Sequence, residues 1–294
     1  EDNVPPEALC QDVTVQLDAN GSGSLTAAQV DNGSSDACDL DNLTIDTETF
    51  DCADIGPNAV TLTATDIYGN HSTCSALITV EDNVAPIALC QDVTVQLDTD
   101  GLGSLTTTQV DAGSSDACPY GPVPGSVENL SLNLTGFDCS DIGLNEVTLT
   151  VTDSSGNSST CTAIVTVEDN VPPTMVCNDL TVQLDADGAS SITVNQIDGG
   201  STDACPGGPV PGSISSLALD QHTFSCSDVG VNTITLIGID NNGNSNTCTA
   251  SVTVEDNIAP QALCQDIAIQ LNADGVASLV PAQIDAGSND ACGI

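Results

Sequence analysis

Two residue types in this chain can do chemistry, aspartate and cysteine. The 294 residues include 34 Asp and 8 Glu but no Lys or Arg, for a formal charge of -42. Short carboxylates in turns are hard oxygen donors, and calcium takes six to eight such donors from flexible loops. Here they recur in a frame. Strand direction brings Asp2, Asn3, Asp31, Asp36, Asp66 and Asn70 to one pole of a first repeat. Their equivalents are Asp82, Asn83, Asp111, Asp116, Asp153 and Asn157, then Asp169, Asn170, Asp198, Asp203, Asp240 and Asn244. Glu81 and Glu168 open the two internal sets. The turns Asp18–Gly21, Asp98–Gly101 and Asp185–Gly188 lie at the opposite pole, where they can add ligands to the following set. The plainer reading is that these residues only form turns and cap strands. Against it, no basic side chain can offset the clustered charge, so calcium or a similar hard cation is expected.

The 14 cysteines follow the same frame. Cys10 to Cys38 spans 28 residues, as do Cys90 to Cys118, Cys177 to Cys205 and Cys264 to Cys292. Cys52 to Cys74, Cys139 to Cys161 and Cys226 to Cys248 each span 22. Ligand pairs at zinc spacing are missing, so disulfides and an oxidising compartment are expected. Four cysteines per repeat allow three pairings. Cys10 and Cys74 both open strands at one pole, which favours Cys10–Cys74, Cys90–Cys161 and Cys177–Cys248. Cys38 and Cys52 flank a loop of variable length, which favours Cys38–Cys52, Cys118–Cys139 and Cys205–Cys226. The long bridges should contribute about 4 kcal/mol each and the short ones about 3.

Catalysis finds no footing. His71 and His222 occupy non-equivalent positions, and no Ser/His/Asp set recurs. The charge excludes nucleic acid, since nothing can neutralise phosphates, and anionic membranes repel such a chain. Yet 39% of residues are hydrophobic, so the chain can fold, around cores kept thin by an aromatic content of 2%. With neither a signal peptide nor a transmembrane run, it reads as a mature product or an internal segment.

The elements that must position these residues are short strands. An acidic joint, Glu-Asp-Asn followed by proline, starts at Glu1, Glu81, Glu168 and Glu255. It divides the chain into repeats 1–80, 81–167 and 168–254 and an incomplete fourth, 255–294. Within a repeat, alternating runs such as Val13–Leu17 and Val60–Thr65 are broken by Asp/Asn/Gly turns. Ser24 to Val30 reads as a second strand, Leu43 to Phe50 as one or two more, and Cys74 to Val80 as the last. Six or seven short strands in about 80 residues predict a β-sandwich. The second and third repeats carry seven extra residues, 119–125 and 206–212, in a surface loop. The fourth unit stops before its later strands, so continuation of the array or strands from a neighbouring molecule should complete it.

The joint, the following cysteine, and Thr65-Asp66-Ile67-Tyr68-Gly69-Asn70 before Cys74 resemble hyalin-type repeats. Thr152-Asp153-Ser154-Ser155-Gly156-Asn157 and Gly238-Ile239-Asp240-Asn241-Asn242-Gly243-Asn244 repeat the motif. Such repeats are immunoglobulin-like modules of secreted and surface proteins, and the tandem form is similar to arrays in environmental Bacteroidetes. The acidic joints also resemble cadherin linkers, in which calcium stiffens a rod. The resemblance implies adhesion or scaffold work. The expectation is thus an all-β linear rod of immunoglobulin-like sandwiches, calcium-stiffened and extracellular, acting as stalk, adhesin or matrix fibre. It should self-associate or continue into a longer array. Covalent glycans can attach at Asn20, Asn32, Asn42, Asn70, Asn129, Asn133 or Asn157. The alternatives are a glycan- or ligand-binding array, which needs an aromatic platform from Tyr68, Tyr120, Phe50, Phe137 and Phe224, and a spacer within a larger secreted enzyme.

Overall fold

A computed structural model describes residues 2–119, 126–205 and 214–293. The loop insertions, at 120–125 and 206–212, lie outside the described residues, and Tyr120 with them.

The first repeat runs β1 (Val13–Gln16), β2 (Ser22–Ser24), α1 (Ala27–Val30), β3 (Leu40–Ile45), β4 (Thr49–Asp51), β5 (Gly56–Asp66) and β6 (His71–Glu81). One sheet has the order β1-β6-β5-β3, and β2 pairs with β4 to face it. The two-residue period of β5 and β6 decides what goes inside. Val60, Leu62, Ala76, Ile78 and Val80 are at most 2% exposed and meet Val15, Leu17, Leu25, Val30 and Phe50 in one core. The intervening threonines face outward. β5 and β6 are antiparallel, as a hairpin requires, whereas β1 runs parallel to β6, with Val13 opposite Ile78 and Val15 opposite Val80.

The plan recurs. The second repeat has β7 (Val93–Gln96), β8 (Leu102–Ser104), α2 (Thr107–Val110), β9 (Asn129–Leu132), β10 (Gly136–Asp138), β11 (Gly143–Thr152) and β12 (Ser158–Glu168). The third has β13 (Leu180–Gln183), β14 (Ala189–Ser191), α3 (Val194–Ile197), β15 (Ser216–Leu219), β16 (Thr223–Ser225), β17 (Gly230–Ile239) and β18 (Ser245–Glu255). Their main sheets are ordered β7-β12-β11-β9 and β13-β18-β17-β15. The chain is therefore all-β, with three tandem sandwich units. It packs as two compact units. One holds residues up to Val95, Gly103–Phe137 and Asp141–Glu168. The other holds Gln96–Leu102, Asp138–Ser140 and the residues from Asp169 on. Among the described residues, no helix is long and apolar enough to cross a membrane.

Two expected strands form differently. Ser24 to Val30 is not one strand, because only Ser22–Ser24 pairs and Ala27–Val30 makes one helical turn. Gln29 drives the turn: its Oε1 accepts from both Thr26 N and Thr26 Oγ1 at 2.8 Å. This local capping outweighs the β-propensity of the run and drops Val30 into the core. In the fourth unit, the only named element among the described residues is α4 (Pro281–Ile284). Ile267–Leu271, the counterpart of β1, is not a strand, since the residues around it include no counterpart of β6 to pair with.

Candidate metal centres at the joints

The geometry of the sheet decides the disulfides. Leu40, which opens β3, lies opposite Asp66 at the end of β5, while Gly56 at the start of β5 lies opposite Val80. Cys38 and Cys52 therefore sit at opposite ends of a strand about 33 Å long at ~3.3 Å per residue. A disulfide needs Cα atoms within about 7 Å. The expected pairs Cys38–Cys52, Cys118–Cys139 and Cys205–Cys226 are accordingly replaced by bonds between repeats: Cys52–Cys118, Cys139–Cys205 and Cys226–Cys292. Cys10–Cys74, Cys90–Cys161 and Cys177–Cys248 close within their repeats. Cys38 and Cys264 are free and exposed. Each inter-repeat bond is seated on a turn of the preceding repeat. Gly21 adopts a φ of 71° with Ala117 O and Cys118 Sγ 3.4 Å from where a Cβ would stand, and Cys118 joins the first repeat's core.

Behind each bond, carboxylates meet. Asp82 follows β6 at the joint, Asp116 lies two residues before Cys118, and Asp153 follows β11. Asp82, Asp116 and Asp153 are 6%, 9% and 1% exposed, and Asp169, Asp203 and Asp240 are 5%, 7% and 2% exposed. Oxygens of Asp169, Asp203 and Asp240 lie within 4.8 Å of one another, as do those of Asp82 and Asp116 together with Cys118 Sγ. The Cys118 sulfur is committed to its disulfide, which leaves the oxygens as donors. At the first repeat, Asp2 and Asp36 gather with the free thiol of Cys38, and at the fourth, Asp256 and Asp290 gather with the bonded Cys292.

The charges at these centres are strained electrostatically. Burial pushes the Asp116 carboxyl above its ordinary range, and the nearby Asp82 and Asp153 carboxylates push it further; only the amides of Cys118 and Ala117 oppose this. Asp203 is raised in the same way, by burial and by Asp169 and Asp240. Asp66 goes the other way. Burial raises it, but hydrogen bonds from Asn70, Tyr68 and Gly69 outweigh burial and hold it low. A hydrogen bond with Asp2, then burial and the Asp2, Asp36 and Asp66 charges, push the Cys38 thiol up.

The remaining candidates fall elsewhere. Asp31, Asp111 and Asp198 cap their own turns, accepting from Ser34 N, Ser114 N and Ser201 N at 2.8–2.9 Å. Asn70, Asn157 and Asn244 turn the amide nitrogen inward: Asn157 Nδ2 donates to Asp82 O at 3.0 Å and to Asp153 Oδ2 at 2.9 Å. They brace the joint as donors. Asn3 is exposed. Asn83 Nδ2 donates to Gln16 Oε1 of the preceding repeat, and Glu81 Oε2 accepts from Gln16 Nε2 at 2.8 Å. Asn170 donates to Gln96 in the same manner, and Glu168 ends β12. Asp18, Asp98 and Asp185 spend their Oδ1 on their own turns, as in Asp18 accepting from Asn20 N at 2.8 Å. Phe50, Phe137 and Phe224 are core residues, 3–4% exposed, and contribute nothing to an aromatic platform, whereas Tyr68 is 58% exposed. The sequence reading missed Gln16, Gln96 and Gln183, whose recurrence at the end of the first strand was the available signal.

No known family model matches the chain. It is similar to hyalin of Strongylocentrotus purpuratus, 28% identical over 223 residues, which cover 71% of this chain and 17% of that protein's length. Among solved structures, the protocadherin GammaB4 extracellular domain aligns over 90% of this chain and 51% of its own, with a TM-score of 0.35 and 14% identity. Mouse cadherin-23 EC22-24 aligns over 86% and 99%, with a TM-score of 0.33 and 13% identity.

Proposed function

We propose that the chain is a structural, adhesion-type extracellular repeat protein, with unit boundaries at the acidic joints and joints stiffened by a hard divalent cation such as calcium. The observation that carries this reading is the pairing of a covalent bond with a carboxylate cluster at the same joint. Cys52–Cys118 ties one repeat to the next, and Asp82 and Asp116 lie beside it. Buried like charges without a partner are costly, and the chain has no Lys or Arg to compensate them. The donor set suits calcium, which prefers carboxylate and carbonyl oxygens. Asp82, Asp116 and Asp153 would hold the ion at one joint, and Asp169, Asp203 and Asp240 at the next. The ion would supply charge compensation and fix the joint. The six disulfides fit an oxidising, extracellular setting, and the similarity to hyalin supports a scaffold role. Self-association or a longer array follows from the same reading.

The test is a calcium titration followed by calorimetry, with sodium chloride matched for ionic strength. Micromolar-to-millimolar calcium should raise the melting temperature and shrink the spread of dimensions seen by X-ray scattering, and EDTA should reverse both. Asp153→Asn and Asp240→Asn should each remove one binding site. Identical melting in calcium and in matched sodium chloride removes the cation from the reading.

A further inference from the structure

Seven Asn-x-Ser/Thr triplets, starting at Asn20, Asn32, Asn42, Asn70, Asn129, Asn133 and Asn157, offer places to join an N-linked sugar. Transfer uses two groups at once, the asparagine amide nitrogen as nucleophile and the hydroxyl two residues on, which the transferase reads. The fold spends one or both groups at five of the seven. Asn70 Nδ2 donates to Asp66 Oδ2 at 2.7 Å and to Asp2 O at 3.1 Å. Asn157 Nδ2 donates to Asp153 Oδ2 and Asp82 O in the same way. The hydroxyls of these two triplets, on Ser72 and Ser159, donate to Pro6 O and Pro86 O. Asn133 folds back on β11, its Oδ1 accepting from Thr148 N at 2.9 Å. Asn20 turns its side chain to the Asp18 carboxylate, in the turn that seats the Cys52–Cys118 bond. At Asn32 the hydroxyl is spent: Ser34 Oγ accepts from Leu9 N at 2.9 Å and donates to Leu9 O at 3.3 Å.

Asn42 and Asn129 differ. β3 and β9 are edge strands of their sheets, and the register puts both triplets at the same place. Asn42 lies opposite Thr65 and Thr44 opposite Thr63, while Asn129 lies opposite Thr152 and Ser131 opposite Thr150. In an extended strand, residues two apart share a face. Leu43 packs against the core, so Asn42 and Thr44 stand together on the solvent side. Asn42, Thr44, Asn129 and Ser131 are all exposed, and among the described residues none of their side chains enters a hydrogen bond. The open edge beside each strand leaves room for a bulky group. The third repeat carries Ser216 and Ala218 at these positions, opposite Ile239 and Ile237, and has no such triplet.

We infer that Asn42 and Asn129 are N-glycan acceptors and that the other five triplets stay bare. The donor is an oligosaccharide carried on a lipid pyrophosphate. The asparagine Nδ2 bonds to C1 of the first sugar, and the C1–O bond breaks with its electron pair leaving on the lipid pyrophosphate. The Nδ2 proton passes to a base of the transferase. The sugar then covers the open edges of β3 and β9, where an unpaired strand invites pairing with another chain.

The experiment uses the full chain, made in a eukaryotic secretory host that supplies the lipid-linked oligosaccharide and the transferase. Secreted protein is treated with an N-glycan amidase in heavy-oxygen water, which turns each sugar-bearing asparagine into a labelled aspartate, and the labels are mapped by mass spectrometry. Labels are expected at Asn42 and Asn129 and at none of the other five. Thr44→Ala with Ser131→Ala, both on the solvent face, should lose both labels from a chain that is still secreted. A label missing from either site, a label at any of the other five, or labels that survive loss of the two hydroxyls overturns the assignment. None of these outcomes bears on the calcium titration, so the two readings stand or fall separately.

Discussion

Gly21, Gly101 and Gly188 occupy the same turn, each at a φ of 71–73° and each facing an inter-repeat disulfide. A Cβ at Gly21 would stand 2.5 Å from Cys52 Sγ, and one at Gly101 2.6 Å from Cys139 Sγ. Positive φ already disfavours any side chain here, and the sulfur has no room to give while bonded. Gly101→Ala should therefore leave Cys139 and Cys205 open to alkylation. Losing a bond that spans 66 residues costs about 4 kcal/mol in the chain-entropy model, which a urea unfolding curve can read. The carboxylates give a second prediction at this scale. Asp116 and Asp203 are raised above the ordinary value of 3.8 by burial and by their acidic neighbours. A raised folded value means the proton is held more tightly in the folded state, so the associated stability is full below 3.8 and is lost as pH rises through the raised value. In EDTA, thermal stability should therefore increase as pH falls from 7 through the raised value toward 3.8. Further acidification should reverse the trend, because carboxylates held low, Asp66 and Asp198 among them, lose their hydrogen-bonded charge. Asp116→Asn with Asp203→Asn should raise the melting temperature at pH 7 and flatten the rise.

At the scale of elements, the one-turn helices show how a short segment can be set by its own side chains and still depend on the core. Thr26, Thr106 and Thr193 each donate from N to the glutamine three residues on, at 2.8 Å. The fourth unit keeps the bond from Val280 N to Gln283 Oε1 at 3.0 Å although its core is open. The turn therefore forms locally, and packing only buries what it presents. Gln29→Ala removes the acceptor for Thr26 N and should destabilise the first repeat by about 1 kcal/mol. Gln283→Ala should leave the global unfolding curve unchanged, because no core there depends on it. Differential scanning calorimetry of the two variants separates the effects.

At the scale of the whole molecule, two kinds of disulfide do different work. Bonds such as Cys10–Cys74 lock the last strand of a repeat to its start, and bonds such as Cys52–Cys118 lock one repeat to the next. Cleavage after Glu81, Glu168 and Glu255 cuts every internal joint, yet Cys52–Cys118, Cys139–Cys205 and Cys226–Cys292 each span one of the cuts. A Glu-directed protease that cuts after every glutamate should thus leave two covalent species beyond Glu7 without reductant, one holding 8–128 with 147–168 and one holding 129–146 with 169–294, and separate fragments after reduction. Pairing within repeats would release the repeats without reduction, so a non-reducing gel decides between the two.

The sequence by itself determined the class of the fold and the period of the array. Alternation in Val60–Thr65, turns at Asp66–Asn70 and the recurring joint are local signals, and local physics suffices to read them. It also pointed the acidic residues of each repeat toward one pole from strand direction alone, and of those residues the structure gathers Asp2 with Asp36, and Asp169 with Asp203 and Asp240. The tertiary structure decided what depends on distance across the sheet and between neighbouring repeats. Cys38 and Cys52 are close in sequence but separated by the length of β5. Cys52 and Cys118 are 66 residues apart but adjacent, because the end of one repeat abuts the start of the next. Which carboxylates enter the joint and which cap their own turn was settled in the same way. Asp31 and Asp36 have the same chemistry and similar positions in sequence, and each accepts from an amide of its own turn, Ser34 N and Cys38 N, but the fold gathers only Asp36 with Asp2 of the joint.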